Sequence, residues 1–315
     1  MDKNTGKTKQ LLGCMATLAA SVLFGFSFLF TKETVDRVSA LTLLSWRFVT
    51  ALIVMSILWL LGIIKLSFGG KRLKTVLAMA IVQPVVYFIG ESIGMKLTTA
   101  SESGTIIAVV PIVTLIFSSI FLKEKPLRHQ VAGIALSIAG VMCIALMTGF
   151  SASLNVVGYI MLFAAVTADA AYAILSRKAS EFSSFEKTYI MAAMGAAVFT
   201  AGALIEHGAN GTIMEYIALP FTDMQFLTAV LYLALGCQTV AFILHNYGIS
   251  VIGANRSSSF AGITTLTSVL SGVIMLGESF SVLQGIATLL ILIGAYEANR
   301  LPRGAVAIEP EPGKR

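Results

Sequence analysis

The chain has 315 residues, of which 57% are hydrophobic and only 12% charged, with a mean hydropathy of +0.87. A water-facing surface needs about 25% charged residues, so a soluble fold is excluded and a bilayer is the solvent. The net charge of +6 does not indicate nucleic acid, because the basic residues sit in small groups between apolar runs and make no contiguous patch.

A helix needs roughly 20 mostly apolar residues to cross the hydrocarbon core. In chain order that length predicts ten spans: 11–31, 41–61, 75–95, 104–122, 131–147, 156–175, 188–205, 226–247, 258–276 and 283–298. Lys3, Lys7 and Lys9 with Ala19-Ala20-Ser21 resemble a cleavable leader. Apolar residues continue from Val22 to Phe30, however, so the first stretch reads as a retained span. Outside, 207–223 is the longest connection, with Asn210-Gly211 as a turn and 214–219 as an interfacial piece. Asn210-Gly211-Thr212 also fits a glycosylation acceptor, but the plain turn is the preferred reading. The tail 301–315, rich in Pro and charge, reads as disordered.

Cytoplasmic loops are enriched in Lys and Arg. With the N-terminus inside, the inner segments carry Lys3, Lys7, Lys9, Lys65, Lys71, Arg72, Lys74, Lys123, Lys125, Arg128, Arg177, Lys178, Lys187 and Arg256, followed by Arg300, Arg303, Lys314 and Arg315. Only Lys32, Arg37 and Lys96 fall outside, and Arg47 lies within a span. Both termini are therefore expected in the cytoplasm. The loops are too short for a soluble catalytic domain. Cys14, Cys143 and Cys237 lie far apart in apolar stretches, without disulfide or metal-ligand spacing, so no metal and no cofactor are expected.

The sequence matches itself at an offset of 154. Ser103/Ser257, Ile120/Ile274, Leu122/Leu276, Glu124/Glu278, Gln130/Gln284, Leu136/Leu290 and Gly140/Gly294 pair, and Glu-x5-Gln falls at the same helix junction in both halves. At an offset of 145, Gly13, Ala19, Ala20 and Lys32 pair with Gly158, Ala164, Ala165 and Arg177. Each unit then holds five helices, and an odd number makes the second unit enter from the opposite face. The expected fold is an all-α integral membrane protein with ten transmembrane helices as two inverted five-helix repeats. Residues 1–10 form a cytoplasmic N-terminus, 11–148 the first repeat and 149–300 the second. Inverted repeats open alternately to either side, with substrate near the midplane.

These residues resemble the EamA-type family of the drug/metabolite transporter superfamily. The first half carries Phe24-Gly25-Phe26-Ser27, Arg47-Phe48, Lys96-Leu97-Thr98-Thr99-Ala100-Ser101, Pro111, Leu122-Lys123-Glu124, Gly133 and Gly140. The second carries Tyr247-Gly248-Ile249, Gly253-Ala254-Asn255-Arg256, Leu276-Gly277-Glu278 and Gly294. Two departures stand out. Thr264-Thr265 replace the proline expected in the ninth span, and Asp169 stands where such proteins place an aromatic or small residue. The resemblance implies a ten-helix transporter exporting amino acids or related metabolites.

Polar residues inside spans are costly and mark pathways. Gln83, Tyr87 and Glu91 follow i, i+4, i+8 spacing and share one helix face. Pro84 frees a backbone carbonyl beside them, so this stripe reads as a cavity wall, with a helix–helix contact as the alternative. Arg47 and Glu91 lie at similar outer depth. Either they pair as a gate, or Arg47 snorkels to headgroups while Glu91 meets outer water. Asp169, near the middle of the sixth span, with Tyr172 one turn on, could carry a proton or meet a substrate amine, or else hold a neighbouring helix. Gln238 lies mid-span, and His245 and Asn246 lie toward the cytoplasmic end; His245 is a candidate for gating or coupling. Trp46 and Trp59 read as interface anchors. Glu124 and Glu278 read as turn or capping residues, and Gly133, Gly140, Gly285 and Gly294 as packing positions.

The central substrate site is thus expected from Gln83, Tyr87, Glu91, Asp169, Tyr172 and Gln238, and gating or coupling from Arg47, Glu91 and His245. The expected function is secondary transport of a small organic metabolite across the plasma membrane, possible coupling being to protons or exchange. The alternative is a membrane receptor or enzyme without solute flux. An enzyme would need clustered His, Asp or Cys at one face, and His129, His207 and His245 are scattered. No G-x-x-x-x-G-K-[ST] motif is present, so ATP-driven pumping within the chain is not expected.

Overall fold

The computed structural model describes residues 3–35, 37–98, 106–147, 155–276 and 282–299. The expected disordered tail and Glu278 lie outside them. Every regular element among the described residues is helical. In chain order these are α1 (Lys3–Val35), α2 (Ala40–Leu60), α3 (Leu73–Leu97), α4 (Val110–Leu122), α5 (Arg128–Met147), α6 (Val156–Lys178) and α7 (Ser184–Asn210). They continue as α8 (Ile213–Thr222), α9 (Met224–Ile252), α10 (Ala254–Ser258), α11 (Ala261–Leu276) and α12 (Val282–Asn299). A helix lies on each of the ten apolar stretches. Six described helical segments, in α1, α2, α3, α6, α7 and α9, are long and apolar enough to cross a membrane.

The boundaries follow local chemistry. Ser39 starts α2 and accepts the Thr42 N–H at 3.1 Å. Asn155 starts α6 and accepts the Gly158 N–H at 3.0 Å. Ser183 and Glu186 form a reciprocal capping box on α7, and α7 stops at Gly211, whose φ of 70° suits the left-handed turn expected at Asn210-Gly211. α8 follows, burying Tyr216 and Pro220 and exposing Met214 and Phe221.

Two spans are interrupted in the middle. In α3, residues 81–86 form a π turn, and Gln83 leaves helical geometry at φ −125°, ψ 104°. Pro84 causes this, because it lacks an N–H and its ring crowds the carbonyl four residues back. In α9, residues 232–241 are π-helical, and the Thr239 hydroxyl donates to the Ala234 carbonyl, five residues back, at 2.9 Å. The ninth expected stretch, 258–276, falls on α11, which is unbroken over Thr264-Thr265, with the short α10 just before it.

The strongest helix contacts correspond between the two halves. α1 packs on α9 and α11, and α6 packs on α3 and α4; α2 packs on α7, and α5 on α12. Apolar helices gain little by leaving lipid for one another, so close approach matters. At α5–α12 it is achieved backbone to backbone: a Cβ on Gly133 would lie 2.5 Å from the Gly294 carbonyl oxygen, and one on Gly140 2.7 Å from that of Ala287. At the α2–α7 crossing, Phe48 is fully buried between Phe88 and Phe199, with ring centroids 5.7 and 5.4 Å away.

Candidate functional site

α3 brings Gln83, Tyr87 and Glu91 to one face, as their spacing requires. The Tyr87 hydroxyl donates to Glu91 Oε1 at 2.8 Å. Arg47 is 5% exposed, and its guanidinium lies over the Phe88 ring, 4.7 Å from the centroid. It is within electrostatic reach of Glu91, Tyr87 and Cys237, but Arg47 and Glu91 are not ion-paired. Arg47 Nε is buried without a hydrogen-bond partner. The guanidinium neither snorkels nor pairs; it stacks on an aromatic face inside the protein.

Asp169 lies mid-way along α6, within electrostatic reach of Glu91, Tyr87 and Tyr172. Its carboxylate makes no hydrogen bond or ion pair with any described residue. Tyr87, Glu91 and Asp169 are only half-buried. Gln83 and Gln238 are almost wholly buried, and Gln83 Oε1 and both amide atoms of Gln238 lack partners. Buried polar atoms in proteins are normally hydrogen-bonded, so these orphans mark where water or a polar solute completes the structure. Each of these glutamines lies in one of the π segments.

One helical turn beyond Asp169 the lining turns aromatic. Tyr172 stacks on His245 with centroids 6.0 Å apart and meets Phe242 edge-on at 6.1 Å. Phe24 of α1 meets Phe242 at 5.0 Å and His245 at 6.1 Å. His245, the candidate for gating or coupling, has its Nδ1 buried and unpartnered. Asn246 accepts from Tyr172 Oη at 3.1 Å and Ser176 Oγ at 2.7 Å, and donates to Thr188 at 3.3 Å.

One residue here was not among those expected. Lys187, counted with the cytoplasmic loops, is 1% exposed and donates to the Ser176 carbonyl at 2.5 Å and hydroxyl at 3.4 Å. No carboxylate pairs with it. The signal available in the sequence was the capping box: Ser183 and Glu186 start α7 one turn earlier than hydropathy does, which carries Lys187 into the bundle. Its neighbour Glu186 takes Lys71 at 2.6 Å and the Ser67 N–H at 2.7 Å, tying the α2–α3 loop to α7.

Both ends of the bundle are tied across the two halves. At one end, Arg37 binds Asp223 and Gln225, and Ser39 donates to Glu206 at 2.8 Å. The Phe226 N–H, aided by Arg37 and the Gln225 N–H, holds the Asp223 carboxyl below the usual range. At the other end, Ser118 donates to Asn255 at 2.6 Å, and Asn255 reaches Glu124 Oε2 at 3.5 Å. Burial pushes the Glu124 carboxyl up, opposed by Arg177. Glu124 thus links the halves at a junction where a turn role was expected. Trp46, expected as a lipid anchor, donates to the Tyr216 carbonyl at 3.2 Å and fastens α8 to α2. A small, mainly apolar groove between α4, α5 and α11, lined by Pro111, Ser137 and Gly262 among others, lies apart from this polar set.

The sequence profile of the EamA-like transporter family matches the chain twice, over residues 11–146 and 156–299. The chain belongs to this family. It is 34% identical over 297 residues to YcxC, an uncharacterized transporter of Bacillus subtilis (strain 168), covering 93% of this chain and 94% of that one. It is 24% identical over 286 residues to an uncharacterized transporter of Archaeoglobus fulgidus, covering 89% and 96%. A crystal structure 20% identical in sequence superposes with a TM-score of 0.71 over 92% of this chain and 98% of that one, which shows the fold. Family membership and the apolar helices make the protein a multi-pass membrane transporter for a small molecule.

Proposed function

We propose that this EamA-family protein is a secondary transporter that moves a small organic metabolite, an amino acid or related compound, out of the cell by alternating access. The alternating units are two inverted five-helix repeats, residues 11–148 and 149–300, in the plasma membrane with both termini cytoplasmic. The observation that carries this reading is the packing scheme, whose main contacts correspond when α1–α5 are exchanged for α6, α7, α9, α11 and α12: α1 on α9 and α11 matches α6 on α3 and α4. A bundle built that way has two related ways to close, one at each face. The ties at Arg37–Asp223 and Ser118–Asn255 each cross between the units and sit at opposite ends, so opening to one side requires releasing one of them.

Between those ties lies the proposed solute site: Gln83, Tyr87, Glu91, Asp169, Tyr172 and Gln238, with Arg47, Glu91 and His245 as gating or coupling groups. Its unpartnered buried atoms support that role. Driving force comes from a proton or solute gradient. The test is counterflow in proteoliposomes loaded with an unlabelled amino acid mixture. Transient accumulation of labelled amino acid above equilibrium, absent from empty liposomes, is expected. Absence of accumulation with folded protein would reject amino acids as cargo.

A further inference from the structure

The two halves of the proposed site are related by the repeat but differ in chemistry. At the 145-residue offset that pairs Gly13 with Gly158, Asp169 corresponds to Phe24. At the 154-residue offset, Glu91 corresponds to His245. The contacts obey the same correspondence. Asp169 is in electrostatic reach of Glu91, and Phe24 meets His245 at 6.1 Å. Gln83 and Gln238 stand 155 residues apart in the two π segments, a one-residue shift that a π turn absorbs. One half therefore offers two acids beside an unpartnered amide, and the other offers rings beside an unpartnered amide.

Charge decides what such a site takes. Arg47, Glu91 and Asp169 sum to one net negative charge when ionised, and neither acid is ion-paired with Arg47. An uncompensated buried charge is costly, and one bound cation restores neutrality. The aromatic half, Phe24, Phe242 and Tyr172, suits an apolar body and stabilises a neighbouring cation. A solute carboxylate would meet two acids against the single Arg47 guanidinium, which is taken up by the Phe88 ring face.

Resting on the transporter reading of this site, we infer that its solute is a small organic monocation, an amine on an apolar or aromatic body. The ammonium sits on Asp169, and the body lies against Phe24 across the pseudo-symmetric centre. Among amino-acid-related compounds this favours amines over zwitterions. Gln83 Oε1 and the Gln238 amide supply the remaining polar contacts.

The test is calorimetric binding to the purified protein with four probes of one shape: phenethylamine, phenethyl alcohol, hydrocinnamate and phenylalanine. Phenethylamine is expected to bind at least about tenfold tighter than the alcohol, the scale of a charge-assisted hydrogen bond, with hydrocinnamate weakest. Asp169→Asn should bring the amine down to the alcohol's affinity, Asp169→Glu should restore part of the preference, and Glu215→Gln on exposed α8 should change nothing. Phe24→Ala should weaken amine and alcohol alike. Equal binding of amine and alcohol by the unaltered protein, an amine preference surviving Asp169→Asn, or no binding of any probe would overturn the inference. Unfolding temperature and elution volume of each variant separate a lost site from a lost fold. Counterflow run alongside separates the two readings. Exchange without an amine preference removes only the inference, whereas amine binding through Asp169 without exchange of any solute removes transport and leaves the site.

Discussion

Gly90 is where packing and the site meet most directly. It precedes Glu91 on α3 and faces α6 two turns before Asp169. A Cβ there would lie 2.7 Å from the Met161 carbonyl oxygen and 3.2 Å from the Ala165 amide nitrogen. An ordinary carbon–oxygen contact needs roughly 3.3 Å, so Gly90→Ala has to push α3 from α6 by about half an ångström. The atoms it meets are backbone, which cannot rotate away. Overpacking of this kind costs about 1–3 kcal/mol, against a typical total stability of about 5–15 kcal/mol. Cys14, Cys143 and Cys237 are free, partly or fully buried thiols, so unfolding can be followed with a thiol-reactive fluorophore on heating. Gly90→Ala should unfold at a clearly lower temperature than the unaltered protein and show reduced counterflow, because Glu91 and Asp169 move apart. Gly69→Ala, with nothing within 4 Å of its Cβ position, should match the unaltered protein in both. If Gly90→Ala unfolds and transports like Gly69→Ala, the close α3–α6 approach does not set the site.

Asp223 caps α9 by accepting the Gln225 and Phe226 N–H groups at 3.0 Å each, so Asp223→Ala should cost about 0.5–2 kcal/mol in thermal unfolding. Its folded pKa is the lowered one. The stabilisation is therefore complete above the ordinary value of about 3.9 and is lost as pH falls below that through the folded value; Asp223→Asn should flatten this acid limb of a stability–pH curve. Glu186→Ala leaves Lys71 and the Ser67 N–H without their carboxylate, which should cost about 2–3 kcal/mol and expose the α2–α3 loop to limited proteolysis; unchanged cleavage would rule out the tie. Lys187→Met keeps the volume and removes a buried ammonium that has only neutral partners, so stability should hold or rise by about 1 kcal/mol while counterflow falls. Loss of stability together with retained flux would show the lysine to be structural.

The class of the protein and its spans are legible in the chain alone because bilayer thickness converts hydropathy directly into element length, and Lys/Arg placement into expected orientation. The shared face of Gln83, Tyr87 and Glu91 follows equally from helical periodicity, and the structure joins Tyr87 to Glu91 by a hydrogen bond. What periodicity does not contain is the neighbour across a helix interface. Arg47 and Glu91 sit at matching depth, yet the guanidinium stacks on Phe88, since depth along a helix says nothing of which way a long side chain turns. His245 is interior because Tyr172 and Phe24, distant in sequence, close over it. Lys187 enters the bundle because the α7 cap forms a turn before hydropathy rises. The sequence by itself determined the solvent and the helices, which are properties of single segments. Only the tertiary structure decided which polar atoms are left without partners, because that depends on contacts between segments far apart in the chain.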